Sequence, residues 1–260
     1  MNRPTDETYN VETYQRQYKQ RYCAFIDVLG FSHLVTRIGS DVPVLKVIGL
    51  LTRLSSAVGP YDYEPTEFES TSISDAIVIS TADNVEGLVC LLAEIHELAL
   101  DVLNAGYFIR GAVVKGLLYH HLNTVVGEAL LRAIHIEREI VRYPRVLVSR
   151  DVSSQIDGSL GPDLGLLRHA EDGPSFLHVL RTYNDDVLST SSRTDLGKPA
   201  DRQAIHANIT TRLAESRDNP RHFEKVKWFA QYWNDIADEG SIEGMLRVVG
   251  AGLGAASRSR

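Results

Sequence analysis

Two hydrophobic periods alternate along this chain. An unbroken apolar run, Tyr22-Cys23-Ala24-Phe25-Ile26, predicts a strand covered on both faces. Asp27 ends the run, and Val28-Leu29-Gly30-Phe31-Ser32 follows as a glycine turn. Val44, Val47, Ile48, Leu51 and Leu54 then recur at helical spacing, opened by Asp41 and Pro43 and stopped by Gly59-Pro60. After a loop from Tyr61 to Pro65 the period drops to two. Phe68, Ser70 and Ser72 alternate with Glu67, Glu69 and Thr71, Ser74-Asp75 makes a tight corner, and Ala76-Ile77-Val78-Ile79-Ser80 returns as an apolar strand. Residues 84–104 carry one helical face of Leu88, Leu91, Leu92, Ile95, Leu98, Ala99 and Val102 and another of Glu86, Glu94, Glu97 and Asp101, with His96 at the surface or edge. Tyr107 to Val114 reads as a strand interrupted by Arg110 and closed by Lys115-Gly116; His120 and His121 fall in the next turn or strand edge, on opposite faces. A helix from Gly127 to Val141 groups Leu130, Ala133, Ile134 and Val141, with Glu137 unusually placed on or beside that stripe. Arg145 to Ser149 is a further strand.

The order strand, helix, hairpin, helix, strand, helix, strand predicts an α+β fold of the ferredoxin-like kind, with helices on one face of a mixed sheet. Beyond residue 150 the signals weaken. Ser175 to Tyr183 reads as a strand, 185–199 as a polar loop, and about 200–217 and 221–238 as helices, with Val226, Phe229, Ala230 and Trp233 as packing residues. The expected division is an arm over 1–20, an α+β domain over 21–183, a helical extension over 184–250 and a disordered tail over 251–260.

With 260 residues and 43% apolar composition, the chain can bury a sizeable core. A formal net charge of -7 and the lack of any lysine- or arginine-rich tract argue against a nucleic-acid polymer as partner. Cys23 and Cys90 sit in apolar runs without close-spaced partners, which fits reduced core residues rather than a disulfide framework or zinc site. The first residues lack the apolar region of a signal peptide, and no stretch is apolar enough to span a bilayer. The expectation is a cytoplasmic protein with no membrane partner.

Each chemical signal is weak alone. Asp27 reads equally as a capping acid after a strand, and Asp75 as ordinary turn chemistry. Together they say more, because both end buried strands that this topology makes neighbours. Two carboxylates brought close invite divalent cations, and a two-metal site suits attack on phosphorus. Gly30 lets backbone approach a ligand closely, Ser32 can cap a following helix, and the amides from Val28 to Ser32 can receive phosphate. Arg110 either pairs with a buried acid or reaches an anionic ligand. All parts of a nucleoside triphosphate site are present without a Walker loop.

At these residues the chain resembles the class III nucleotidyl cyclase family. The motifs are Phe25-Ile26-Asp27-Val28-Leu29-Gly30-Phe31-Ser32, Ser72-Ile73-Ser74-Asp75-Ala76, Ile109-Arg110-Gly111-Ala112 and Val126-Gly127-Glu128-Ala129, spread over roughly residues 20 to 150. More narrowly it is similar to the bacterial pyrimidine cyclases of Pycsar anti-phage defence, through Gly127, Ala129, Leu130, Glu137 and Tyr143-Pro144-Arg145. The resemblance implies a homodimer with two composite sites. Asp27 and Asp75 would bind two Mn2+ or Mg2+ ions, helped by the Val28 carbonyl, and Arg110 would hold the β- and γ-phosphates. It further implies substrate contacts from Val28, Leu29, Gly30, Phe31 and Ser32, and from Thr71, Thr124 and His135. Purine cyclases carry a lysine where Thr71 stands and an acid or small hydroxyl residue where Thr124 stands. Their transition-state asparagine and arginine fall at Leu131 and His135. His135, Arg132 and Arg138 are then candidates for stabilising charge, each equally readable as a solvated or structural residue, and Lys115 is a candidate for holding phosphate whose favoured reading is a plain solvent-facing lysine. The implied activity is a uridylate cyclase making 3′,5′-cyclic UMP from UTP as an antiviral signal read by a separate effector protein. The alternatives are a cytidylate cyclase, a degenerate domain that only binds nucleotide, and a metal-dependent phosphohydrolase.

Overall fold

A computed structural model of the chain describes residues 17–40, 44–55, 66–162, 165–181, 199–239 and 246–250. The expected arm before residue 17, the helix opening at Asp41 and Pro43, the Gly59-Pro60 stop, the loop from Tyr61 to Pro65, residues 182–198 and the tail 251–260 lie outside the described residues.

The apolar run becomes β1 (Lys19–Val28), paired antiparallel with β3 (Ala76–Ala82) on one side and β4 (Ile109–His121) on the other. Both edges of β1 are therefore saturated, and its two faces feed two different cores. Tyr22, Ala24 and Ile26 join the main core, while Cys23 and Phe25 join a smaller one with Val78, Val114, Leu118, Ala129 and Ala133. An uninterrupted apolar strand is what burial on both faces requires. Among the described residues the sheet has eight strands. Its order is β2 (Glu69–Ile73), β3, β1, β4, β6 (Val146–Val148), β8 (Ser175–Leu177) and β7 (Leu167–His169), with β5 (Thr124–Val126) pairing the end of β4. The β4–β6 pair is parallel and the others are antiparallel, so the sheet is mixed as expected.

After α1 (Phe31–Thr36) and α2 (Val44–Ser55), α3 (Val85–Asn104) covers the main core. Asn84 caps it, its side chain accepting from the Gly87 amide at 2.6 Å. The seven apolar residues assigned to its inner face are all buried. Glu94 and His96 are buried too, which corrects the surface placement of His96. The segment after β8 covers that side, and a His96 ring nitrogen bonds the Arg181 carbonyl. The helix expected from Gly127 forms as α4 (Glu128–His135), and it packs through Ala129 and Ala133 on the face opposite α3, where the sequence placed the helices on one face. It continues into one π-helical turn, Ile136–Ile140, closed by the Val141 amide on the Ile136 carbonyl at 3.0 Å. α5 (Arg150–Ser159) follows β6.

Three strand bounds differ from the sequence expectation. β4 runs on to His121 because its second half pairs with β1 and β5, whereas β8 is three residues long and β6 ends at Val148. Thr71, grouped with the polar side of its strand, is buried.

The last two helices, α6 (Pro199–Glu215) and α7 (Pro220–Glu239), share the main core through Ile205, Ile209, Leu213, Val226, Phe229 and Trp233. Phe229 meets Phe108 at 5.0 Å between ring centroids, and Trp228 stacks on Tyr143 at 5.4 Å. Arg145 completes that junction, lying over the Trp228 ring and bonding both Asp172 oxygens. Cys23 and Cys90 are free, buried thiols. No helix among the described residues is long and apolar enough to cross a membrane.

At Gly111 the β1–β4 pair leaves no room for a side chain: a Cβ there would sit 2.3 Å from the Phe25 carbonyl oxygen. Gly111→Ala is therefore expected to cost about 1–3 kcal/mol in urea unfolding. Gly49→Ala, whose Cβ meets nothing within 4 Å on helix α2, should be neutral or slightly stabilising.

Burial lowers the pKa of His96 to about 3 and of His120 and His178 to about 4, from an ordinary 6.5. Each group binds its proton more weakly folded than unfolded. Their stabilising contribution is complete above the unfolded value and is lost as pH falls from 6.5 toward 4. At pH 5 the loss should be about 2 kcal/mol per histidine relative to pH 7, and His120→Asn should flatten that part of the curve.

Candidate active site

The site is built where the β1 ladder stops. Asp27 is the register partner of Arg110 on β4 and of Ala76 on β3. One residue further, the Val28 amide donates to the Asp75 carbonyl at 3.3 Å, pinning the hairpin corner against the end of β1. Ser74 carries φ 59° in that corner. The Leu29 amide donates to the Phe108 carbonyl at 2.8 Å, and Gly30 then turns the chain with φ 81°, a conformation L side chains avoid. Gly30 is itself the N-cap of α1, so Ser32, exposed in the first turn, does not cap that helix.

These contacts gather Asp27, Val28, Leu29, Gly30, Phe31, Ser32, Asp75 and Arg110 around one cavity of about 350 Å³. Its remaining wall is the start of α7: Asn219, Arg221, His222 and Lys225. The sequence reading assigned no role to these four residues, since helix periodicity reports packing and not which core a helix will meet.

Arg110 is held between two carboxylates. Its Nε donates to Asp27 Oδ2 at 3.0 Å, and its Nη2 lies 2.7 Å from Glu137 Oε1 as an ion pair without hydrogen-bond alignment. Glu137, with only 3% of its side chain exposed, reaches this position from the π-helical turn. Its place on an apolar stripe was the signal for it in the sequence; no partner could be named there. Burial raises the pKa of Asp27, Arg110 opposes that shift, and the neighbouring charge of Asp75 adds to it. Burial raises Glu137 as well, again against Arg110. Burial lowers Lys225, reinforced by the positive charge of Arg110 and opposed by Asp27 and Glu137.

The other candidates lie elsewhere. Thr71 belongs to a buried network of fixed polarity. The Ser80 hydroxyl donates to His120 Nδ1, His120 Nε2 donates to Thr71 Oγ1, and Thr71 donates to the Leu122 carbonyl. Arg21 Nε in turn donates to Ser80. This pattern requires the neutral Nε2-protonated tautomer of His120. Thr124 stands on β5 and His135 on the exposed side of α4, outside the cavity lining. Lys115 pairs with Asp83 at 2.6 Å and lies over the Tyr22 ring. Arg132 bonds both oxygens of Asp151, and Arg138 is exposed. His120 is buried while His121 is exposed and bonds Glu69, so the pair does face opposite sides.

Removing Arg110 leaves two crowded acids without their shared cation. Arg110→Met is expected to lose about 1–3 kcal/mol, the partial exposure of the pair reducing the full buried-pair cost. Adding Glu137→Leu should restore part of it. Urea unfolding followed by tryptophan fluorescence measures both.

No protein-family model matches the chain, and no curated protein matches it. Among solved structures, the chain is similar to the guanylyl cyclase Cya2, with 11% identity and a TM-score of 0.41 over 61% of this chain and 90% of that one. A bacterial light-regulated adenylyl cyclase is 16% identical with a TM-score of 0.42, over 72% of this chain and 57% of that one. The catalytic core of a rhodopsin-guanylyl cyclase with converted specificity, in complex with ATPalphaS, is 11% identical with a TM-score of 0.41, over 62% and 95% of the two chains.

Proposed function

We propose that this protein is a metal-dependent nucleotidyl cyclase of pyrimidine specificity, making cyclic UMP from UTP and releasing pyrophosphate. The observation that carries the reading is the convergence of Asp27 and Asp75 on one cavity beside the Gly30 turn, with Arg110 at its edge.

The donor set suits Mn2+ or Mg2+. Both acids are hard oxygen ligands on one cavity that Val28 also lines, its carbonyl being a further candidate ligand, and burial together with the charge of Asp75 works against a bare Asp27 anion. Among the described residues no group of three or more acid, histidine or cysteine side chains is arranged to hold an ion. Two carboxylates would then hold the ions only together with substrate phosphates. When bound, two divalent ions would activate the attacking hydroxyl and neutralise the departing phosphates.

The chain's own residues would do the rest. Gly30 brings the turn backbone close to the phosphates, where the first amides of α1 have no partner inside the helix. Arg110 fixes the orientation of Asp27. The 3′-oxygen of the ribose attacks the α-phosphorus in line, and the bond from that phosphorus to the bridging oxygen breaks, releasing pyrophosphate. Thr124 and His135, both exposed, would serve as the second half of a composite site, reaching the cavity of another copy, whereas Thr71 is buried in its own chain. The exposed apolar side chains of Leu122, Val126 and Leu131 support such a homodimer. Thr71 stands where purine cyclases carry a lysine, which supports a pyrimidine reading. The product would act as an antiviral signal on a separate effector protein, from a cytoplasmic enzyme. A second reading, a domain that binds nucleotide without turnover, draws support from the engagement of Arg110 by Asp27 and Glu137.

The test is incubation of the pure protein with each of the four ribonucleoside triphosphates and Mn2+, with products resolved by chromatography. Cyclic UMP is expected to dominate, and Asp27→Ala and Asp75→Ala should each lose at least ~100-fold in turnover. Cyclic CMP alone would move the assignment to cytidine. Cyclic purine products alone would refute pyrimidine specificity. Free monophosphate would point to hydrolysis. Tight metal-dependent nucleotide binding without product would favour the binding domain.

A further inference from the structure

A nucleoside triphosphate carries most of its charge at the β- and γ-phosphates, so a site for it needs cations there. Arg110 is already committed in part. Two of its donor nitrogens face Asp27 and Glu137, at 3.0 and 2.7 Å. The same cavity holds two further cations, Arg221 and Lys225 on α7. They are four residues apart, so they lie on one helical face. Among the described residues neither has an ion-pair partner, whereas Lys115, Arg132, Arg145 and Arg168 are each paired with an acid. The helix that presents them is anchored in the core. Val226, Phe229 and Trp233 are buried in the main core, and Trp228 stacks on Tyr143. Their distance from the acids is therefore set by core packing and not by a surface loop.

We propose that Arg221 and Lys225 hold the terminal phosphates of the nucleotide, which makes the first turns of α7 a wall of the active site. Asp27 and Asp75 act at the α-phosphorus end, and the α7 cations act on the group that leaves as pyrophosphate. The proposal rests on the triphosphate reading above and extends it to residues outside the resembling motifs.

The probe is inorganic tripolyphosphate, titrated calorimetrically into the full chain with Mn2+ present. Arg221→Met and Lys225→Met are each expected to weaken binding about tenfold or more, the loss of one charge-assisted contact. Lys225→Arg should stay within about threefold of the parent, and Lys227→Met, on the same helix outside the cavity, should bind as the parent does. For the triphosphate that is turned over, inhibition by pyrophosphate should weaken by the same factor as tripolyphosphate binding. Unchanged melting temperatures establish that the variants fold. Parent-like binding by both methionine variants overturns the proposal, and so does the absence of tripolyphosphate binding by the parent. Cyclase failure is read separately. If no triphosphate yields a cyclic product, the catalytic reading falls, and the calorimetry still decides whether α7 binds polyphosphate.

Discussion

The register of β1 between β3 and β4 is the constraint from which the rest of the site follows. It sets Asp27 opposite Arg110 on one side and beside the Asp75 corner on the other. A strand shifted by one residue would turn every side chain to the other face. Here that shift is forbidden twice: by the two separate cores that alternate residues of β1 fill, and by the close approach at Gly111, which has room for no side chain. The carboxylates converge because the hydrophobic pattern permits only this alignment.

That alignment gathers charge where burial opposes it. Asp27 and Glu137 both have raised pKa values, and Arg110 is the cation that makes their proximity tolerable. An arrangement so unfavourable to bare anions is costly as scaffolding. Under the proposed function it would receive cations that arrive with a polyphosphate. Arg110 bonds Asp27 from within the sheet, and Arg221 and Lys225 line the same cavity from α7.

The C-terminal helical part is present as expected, and α6 and α7 bury their apolar faces in the same core as α3 and the sheet. Tyr143, Arg145, Phe176 and Trp228 form one aromatic and cationic junction between the end of the sheet and α7. That junction ties the helix carrying Arg221 and Lys225 to the end of the sheet.

The sequence by itself determined the elements that carry a strong local period or a strong local stop. The buried strand ending at Asp27, the Ser74-Asp75 corner, the amphipathic helix over 84–104 and the arginine inside an apolar strand were all legible, because each is a property of neighbouring residues. It also marked Glu137 as out of place on its stripe. Tertiary structure alone decided what Glu137 pairs with, since its partner is far along the chain and a π-helical turn aims it. The same holds for His96, covered by a segment beyond residue 175, for Thr71, whose hydroxyl is absorbed by His120 and Leu122, and for Lys225, which looks like any solvated helix lysine. Local patterning records which face a residue turns inward; which distant segment meets that face depends on how the finished cores fit together.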